Sequence, residues 1–365
     1  MYFYYFNYFC KKNIIMQDYT KDNYISIAKA IGIILMVAGH SGCPIIMNNF
    51  LYLFHMPLFF VCSGYFFKDI ENHHKLTGYY KRKIQGLYLP YFKWCLFFLL
   101  FHNIFVSSNI IHGNTYDLND YAKQLFNLCL MTDYEILIRP FWFLKELLLS
   151  LILIATLSYL RHRYHLKIKI VSFTGVFIIL TMICKYLKIN CPILGDVSIL
   201  TLSITYIYTG MLYRKYENHI KIGSTTCIIC FFITIIGSIY FNGEIDMRYT
   251  TTSNILPYLL LSITGILFIF GISKFINLHI HGHHFIYYIG NHTMPILALN
   301  LLALKIGNLI KILIYDMPMD SLSSHTIIYD NNQFFWILYI IIGISIPLLL
   351  EHIYMFYTKN VKINQ

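Results

Sequence analysis

Ile25-Ser-Ile-Ala-Lys29-Ala-Ile-Gly-Ile-Ile-Leu-Met-Val-Ala-Gly39-His40 is the stretch that decides what kind of molecule this is. Apart from Ser26, Lys29 and His40, every residue in it is apolar or glycine. A surface helix of a soluble protein shows a polar face opposite its apolar stripe; this one has none. Extended to 24–42, it reaches the roughly 17–25 residues that carry a helix across a bilayer. The rest of the 365-residue chain has the same character, with 57% hydrophobic and only 12% charged residues and a mean hydropathy of +0.58. Soluble domains carry about 25% charged residues, so there is too little charge here to coat a soluble body. A cytosolic enzyme, a disordered chain and a secreted disulfide scaffold are excluded, and a polytopic membrane protein remains. Aromatic residues at 18% suit many interfacial ring anchors.

Working outward, apolar runs of spanning length fall at 24–42, 50–67, 87–106, 141–160, 168–187, 196–212, 224–241, 255–275, 284–304 and 334–355. The fold expected is all-α, a polytopic integral membrane helical bundle of about ten transmembrane helices with both termini cytoplasmic. Charge supports that threading. Lys68, Lys75, Lys81, Arg82, Lys83, Arg161, Arg163, Arg214 and Lys215 then lie in inner segments. The outer ones hold Lys123, Arg139, Lys185, Lys188, Arg248, Lys305 and Lys311, together with acids such as Asp117, Asp120, Asp133, Glu135, Glu244 and Asp246. Lys and Arg accumulate in cytoplasmic loops, so the formal charge of +11 is mainly topological and no nucleic acid is needed to explain it. The organisation expected is a cytoplasmic or interfacial segment 1–23, a transmembrane domain 24–355 and a cytoplasmic tail 356–365. The aromatic run Met1 to Cys10, followed by Lys11 and Lys12, lacks the order of a secretory signal. It reads as an interfacial segment or as the translated remnant of an upstream start. The nine cysteines are scattered singly, and the close pair Cys227 and Cys230 lies in an apolar run, so neither a disulfide framework nor a zinc site is expected.

Ionisable residues inside spans are costly and mark function by default. Lys29 and His40 are eleven residues apart, close to three helical turns, which puts both on one face about 16 Å apart along the axis. The second apolar run, Tyr52-Leu-Phe-His55-Met-Pro57-Leu-Phe-Phe-Val-Cys-Ser63-Gly64-Tyr-Phe-Phe, enters from the outer side, so His55 falls at a depth near that of His40. Ser63 and Gly64 form a small patch that permits close helix packing. Lys81-Arg82-Lys83 is either plain positive-inside charge or an anchor for an anionic ligand such as a nucleotide phosphate. His279-Ile-His281-Gly-His283-His284 has the composition of a metal tract but no neighbouring acidic or cysteine ligand, and no metal is expected.

Taken in order, five stretches resemble the membrane-bound acyltransferase 3 family, particularly its fucose 4-O-acetylase-like branch. They are Lys29-x10-His40, His55 to Phe67, Lys81-Arg82-Lys83-Ile84 with Pro90-Tyr91, Arg139-Pro-Phe-Trp142-Phe143-Leu144, and Ile289-Gly290-Asn291-His-Thr293-Met-Pro295. The family often has Arg where Lys29 stands and a His where Asn300 stands, so no role of that late His carries over. The resemblance implies a membrane O-acyltransferase, in most cases an O-acetyltransferase. It would move an acyl group from cytoplasmic acyl-CoA to a hydroxyl of a surface glycan or its lipid-linked precursor, in the cell (inner or plasma) membrane. Acetyl-CoA is then a donor substrate, and no permanently bound cofactor is expected. The partners expected are acyl-CoA, the glycan or lipid-linked sugar, and membrane lipids. A neutral imidazole can take a hydroxyl proton or carry the acyl group itself, and either suits His40. His55 and Glu146 join it as candidate catalytic residues, with Lys29, Lys81, Arg82 and Lys83 for the donor and Ser63, Gly64, Trp142 and Asn291 as further motif residues. The competing class is a glycan or solute transporter, which would use midplane polar residues as well.

Overall fold

The computed structural model describes residues 23–363 except 221, 281–283, 325 and 330–333. The segment 1–22 and two of the clustered histidines, His281 and His283, lie outside the described residues. In chain order the helices are α1 (Asn23–His40), α2 (Ile45–Tyr52), α3 (His55–Tyr65), α4 (His73–Lys83), α5 (Leu89–Leu100), α6 (His102–Ser107), α7 (Leu118–Leu130), α8 (Trp142–Arg163), α9 (Ile170–Tyr186), α10 (Val197–Tyr216), α11 (Ser224–Phe241), α12 (Ile255–His279), α13 (His284–Asn291), α14 (Thr293–Tyr315), α15 (Ser321–Ser324) and α16 (Phe335–Ile363). A π-helical turn, Ile84–Tyr88, joins α4 to α5, and a 3-10 segment, Ile136–Phe141, leads into α8. The described β-structure is one short antiparallel pair, Asn190–Cys191 with Gly195–Asp196.

Among the described residues, seven stretches are long and apolar enough to cross a membrane: Asn23–His40, Ile45–Tyr65, Ile136–Arg163, Ser224–Phe241, Thr252–His279, Thr293–Tyr315 and Phe335–Thr358. The protein is a polytopic helical bundle. The other three expected spans are helical as well. One is α5 with its flanking turns, one is the shorter α9, and one is α10, whose Ser and Thr lower its hydropathy. Those hydroxyls are answered inside the helix: Ser203 Oγ donates to Ile199 O at 2.8 Å, Thr205 Oγ1 to Thr201 O at 3.0 Å and Thr209 Oγ1 to Thr205 O at 2.9 Å. Backbone-satisfied hydroxyls need no water, so α10 can be buried despite its composition.

Two prolines set helix breaks that apolar run lengths do not reveal. The run 50–67 is divided between α2 and α3, and the run 284–304 between α13 and α14. In a continuous helix the rings of Pro57 and Pro295 would clash with the carbonyls of Leu53 and Asn291. Restarting the helix at His55 and Thr293 moves each proline into a first turn, where it is tolerated. The restart also carries α14 on to Tyr315, so Lys305 and Lys311 lie in a helix and not in the outer loop where run length placed them. At the other end α16 continues to Ile363, through the expected tail.

α1 runs through the middle of the bundle, with Tyr24, Ile25, Ile27, Ala28, Ile33, Met36 and Val37 buried. It packs against α3, α12, α13, α14 and α16. Backbones meet directly where glycine allows it. A Cβ on Gly64 would strike the Ile207 carbonyl, one on Gly210 the Val61 carbonyl, and one on Gly290 the Ser26 carbonyl. At one end Glu217 ties four helices together. Its Oε1 accepts from Tyr24 Oη at 2.8 Å and Lys274 Nζ at 3.1 Å, and its Oε2 accepts from Tyr65 Oη at 2.8 Å.

Candidate active site

The face of α1 that carries Lys29, Ile33, Met36 and His40 lines two cavities in succession. The first, of about 360 Å³, takes Lys29, Ile33 and Met36 from α1, Met56, Phe59, Cys62 and Ser63 from α3, Tyr79 and Lys83 from α4, Phe143, Leu144 and Leu147 from α8, and Thr293, Met294 and Leu297 from α14. The second, of about 280 Å³, takes Met36 and His40, then Tyr52, His55 and Met56, then Arg139 and Trp142, the loop Asp246 to Tyr249, and Leu297, Leu301 and Thr326. Met36, Met56 and Leu297 belong to both linings and form the apolar partition between them. Seven residues separate Lys29 from Met36 and four separate Met36 from His40, about two turns and one turn, so one helix stripe serves both chambers.

His40 and His55 share the second cavity. His55 Nδ1 lies 2.8 Å from Leu51 O, near the end of α2. A carbonyl oxygen only accepts, so Nδ1 carries the hydrogen and the lone pair of neutral His55 sits on Nε2. The Tyr52 ring meets the His55 imidazole edge to face at 4.9 Å. The ring nitrogens of His40 have no hydrogen-bond partner among the described residues. Arg248 lies with its guanidinium 5.4 Å from the Trp142 ring centroid and 5.5 Å from that of Tyr249. Asp246 shapes this loop, its Oδ1 accepting from the N–H groups of Arg248 at 2.7 Å and Tyr249 at 2.6 Å.

Of the basic run after α3, the structure brings only Lys83 to the first cavity. Its Nζ lies 5.2 Å from the Tyr79 ring centroid, and burial, then the charge of Arg82, pull its pKa below that of an ordinary lysine. Lys81 and Arg82 are exposed and stand outside the lining. Ser63 lines the first cavity and donates to Phe59 O at 2.9 Å. Gly64 serves the α3–α10 crossing. Asn291 accepts from Ser26 Oγ at 3.2 Å and joins α13 to α1 away from both chambers. Glu146 is buried in α8 and lines neither cavity, and its Oε2 has no hydrogen-bond partner among the described residues. No group of three or more His, Cys, Asp or Glu among the described residues is arranged to hold a metal.

Tyr52, Asp246, Arg248, Tyr249 and Thr326 are cavity residues that no motif had marked. All but Tyr52 come from connecting segments, and the available signal was weak: Arg248 is a cation on the side where cations are few.

A helical membrane protein with a lysine-bearing chamber and a histidine-bearing chamber back to back is the class this architecture defines. The family model described as an acyltransferase domain matches residues 22–352, and the chain belongs to the membrane acyltransferase 3 family. No curated protein and no solved structure matches it.

Proposed function

We propose that this membrane acyltransferase is an O-acetyltransferase of the cell membrane. It takes the acetyl group from cytoplasmic acetyl-CoA and gives it to a sugar hydroxyl of a surface glycan or its lipid-linked precursor on the outer side. The observation that carries this reading is the pair of cavities on one stripe of α1, with Lys29 in the first and His40 in the second. The threading that suits it has ten spans, with Asn114 and Asp246 outside and Lys83, Arg163 and Lys215 inside. Lys83 and Lys29 are then placed to answer the donor's phosphates from the cytoplasmic side, since ammonium and phosphate form charge-assisted pairs. The thiol arm extends along the α1 stripe and presents the thioester at the Met36, Met56 and Leu297 partition.

The sugar hydroxyl lies in the second cavity. As its oxygen bonds to the thioester carbon, neutral His40 takes the hydroxyl proton. The carbon–sulfur bond then breaks, and the coenzyme thiolate leaves and is reprotonated. In the two-step variant the acetyl group rests on His40 before the sugar oxygen receives it. His55, with its lone pair on Nε2, is the second imidazole of the chamber. Proteoliposomes with the protein in one orientation test the arrangement. Labelled acetyl-CoA supplied on the Lys83 side should acetylate a glycan supplied only on the Asp246 side, and the reverse supply should not. Absence of any transfer, with the glycan itself crossing the membrane, would establish the transporter class instead.

A further inference from the structure

The basic residues on the Asp246 side of the bundle have no topological reason to be there, because the positive-inside bias populates the opposite side. Each therefore needs a local explanation, and most have one. Lys185 Nζ bonds Asp196 Oδ2 at 3.1 Å and the Arg248 carbonyl at 3.2 Å. Lys305 and Lys311 are buried and donate to the carbonyls of Leu322 and Ile328. Lys123 and Lys188 are exposed surface cations outside the cavity linings. Arg139 and Arg248 differ from all of these. Both line the His40 chamber, from separate segments, and neither has a carboxylate within ion-pair distance among the described residues.

The Arg248 guanidinium is held in place without being neutralised. The Trp142 and Tyr249 rings flank the guanidinium, while Asp246 and Lys185 fix the Arg248 main chain, the one accepting from its backbone N–H and the other donating to its carbonyl. Asp246 is the single acid lining the chamber, and its Oδ1 is already committed to the two loop amides. Both residues are exposed and both line the same cavity, and each guanidinium offers a fork of N–H donors that pairs a planar or tetrahedral anion in bidentate fashion. The outer segments also carry Asp117, Asp120, Asp133 and Glu244, and the exposed Lys123 and Lys188 stand singly outside any cavity lining, so the paired cations of the chamber are set apart on that side.

We infer that the acceptor of the His40 chamber carries an anionic group, a carboxylate or a phosphate, which Arg139 and Arg248 bind while the target hydroxyl faces His40. This rests on the transfer reading above and narrows it from sugars in general to acidic sugars or phosphate-linked ones. A glycan carboxylate and the phosphate of a lipid carrier present the same chemistry to the two guanidiniums.

The test uses the full-length protein in lipid nanodiscs and three acceptors of matched size: a neutral oligosaccharide, the same oligosaccharide with one glucuronate, and a polyprenyl-phosphate-linked sugar. Equilibrium binding and labelled-acetyl transfer are measured in parallel. At least one charged acceptor should bind the wild type more tightly than the neutral one. Arg139→Gln and Arg248→Gln should each weaken that binding by about 10- to 100-fold, the range for losing a charge-assisted hydrogen bond. Arg248→Lys should keep part of the affinity, and Lys188→Gln should change nothing. The Michaelis constant for acetyl-CoA should not move in any of them. Charge-blind binding by the wild type would overturn the inference, and so would equal losses for charged and neutral acceptors in the Gln variants. Charge-selective binding without any acetyl transfer would leave the anion site standing and remove the transferase reading. Comparing the two charged acceptors identifies which source supplies the anion.

Discussion

Lys29 in α1 and Lys311 in α14 are both ammonium groups set inside apolar helices, and their surroundings give them different work. Lys311 is 1% exposed; its Nζ donates to Ile328 O at 2.6 Å and lies 4.8 Å from the Phe335 ring centroid. Lys305 makes the matching bond to Leu322 O at 2.6 Å. Between them Asn308 donates to Thr326 O at 3.2 Å and accepts from Ile328 N at 3.1 Å and Tyr339 Oη at 2.6 Å. These three side chains, at spacings of three along one face of α14, hold the main chain at Leu322, Thr326 and Ile328. In doing so they deliver Thr326 to the second cavity. Lys29 faces a cavity instead, and its ammonium has no hydrogen bond to a described residue. At Lys311 a main-chain carbonyl answers the charge and makes it a structural joint, whereas at Lys29 the protein leaves the ammonium facing a cavity.

The cavity side of this comparison should fail most completely at His40. His40→Ala should slow acetyl transfer by about 10²–10⁴-fold, the usual cost of losing a general base, while thermal unfolding in detergent stays at the wild-type position. A folded variant with near-wild-type transfer would move the proton acceptor to His55. The structural side should fail at Lys311. Lys311→Met leaves the Ile328 carbonyl buried without its donor, which costs about 1–3 kcal/mol and should appear as a lowered unfolding midpoint. Lys29→Met should leave that midpoint in place and raise the Michaelis constant for acyl-CoA. Equal loss of stability in the two variants would erase the distinction.

Smaller effects sharpen the picture at the edges of the first cavity. Met36→Ala and Met56→Ala widen the partition between the chambers. Each should shift donor preference toward butyryl-CoA over acetyl-CoA by roughly 10-fold, the scale set by fitting extra methylenes into an apolar pocket. An unchanged acetyl-to-butyryl ratio would mean that the acyl group does not pass there. The smallest effect expected is on the basic run. Lys83→Gln should raise the Michaelis constant for acyl-CoA by about 2- to 5-fold, as for a partly exposed ion pair, and exposed Arg82→Gln by less. Burial and then the Arg82 charge lower the Lys83 pKa from 10.5. Its charge, present below the lowered value, should therefore be lost as pH rises through that value. Donor affinity should weaken at less alkaline pH than for an ordinary lysine, and Arg82→Gln should move that break upward.

Much of this was legible in the chain itself. Sustained apolar runs require a helical membrane bundle, because backbone groups inside a bilayer must be satisfied within each segment. Helical periodicity put Lys29 and His40 on one stripe, and ordered motifs pointed to the acyltransferase 3 family that the domain match shows. Periodicity along a single helix says nothing about its neighbours, however. Whether Lys83 or Arg82 faces the chamber, and whether Glu146 reaches it, depended on how α4 and α8 pack on one another beside the cavity. The helix that restarts before Pro295 runs on to Tyr315 and holds Lys305 and Lys311 in a buried ladder where run length had placed a loop. The loop bearing Asp246, Arg248 and Tyr249 lies more than two hundred residues from His40 in sequence. Folding alone brought it to the same cavity, because the contacts that place it are made by Lys185 of α9 and by Trp142 and have no counterpart in any local pattern.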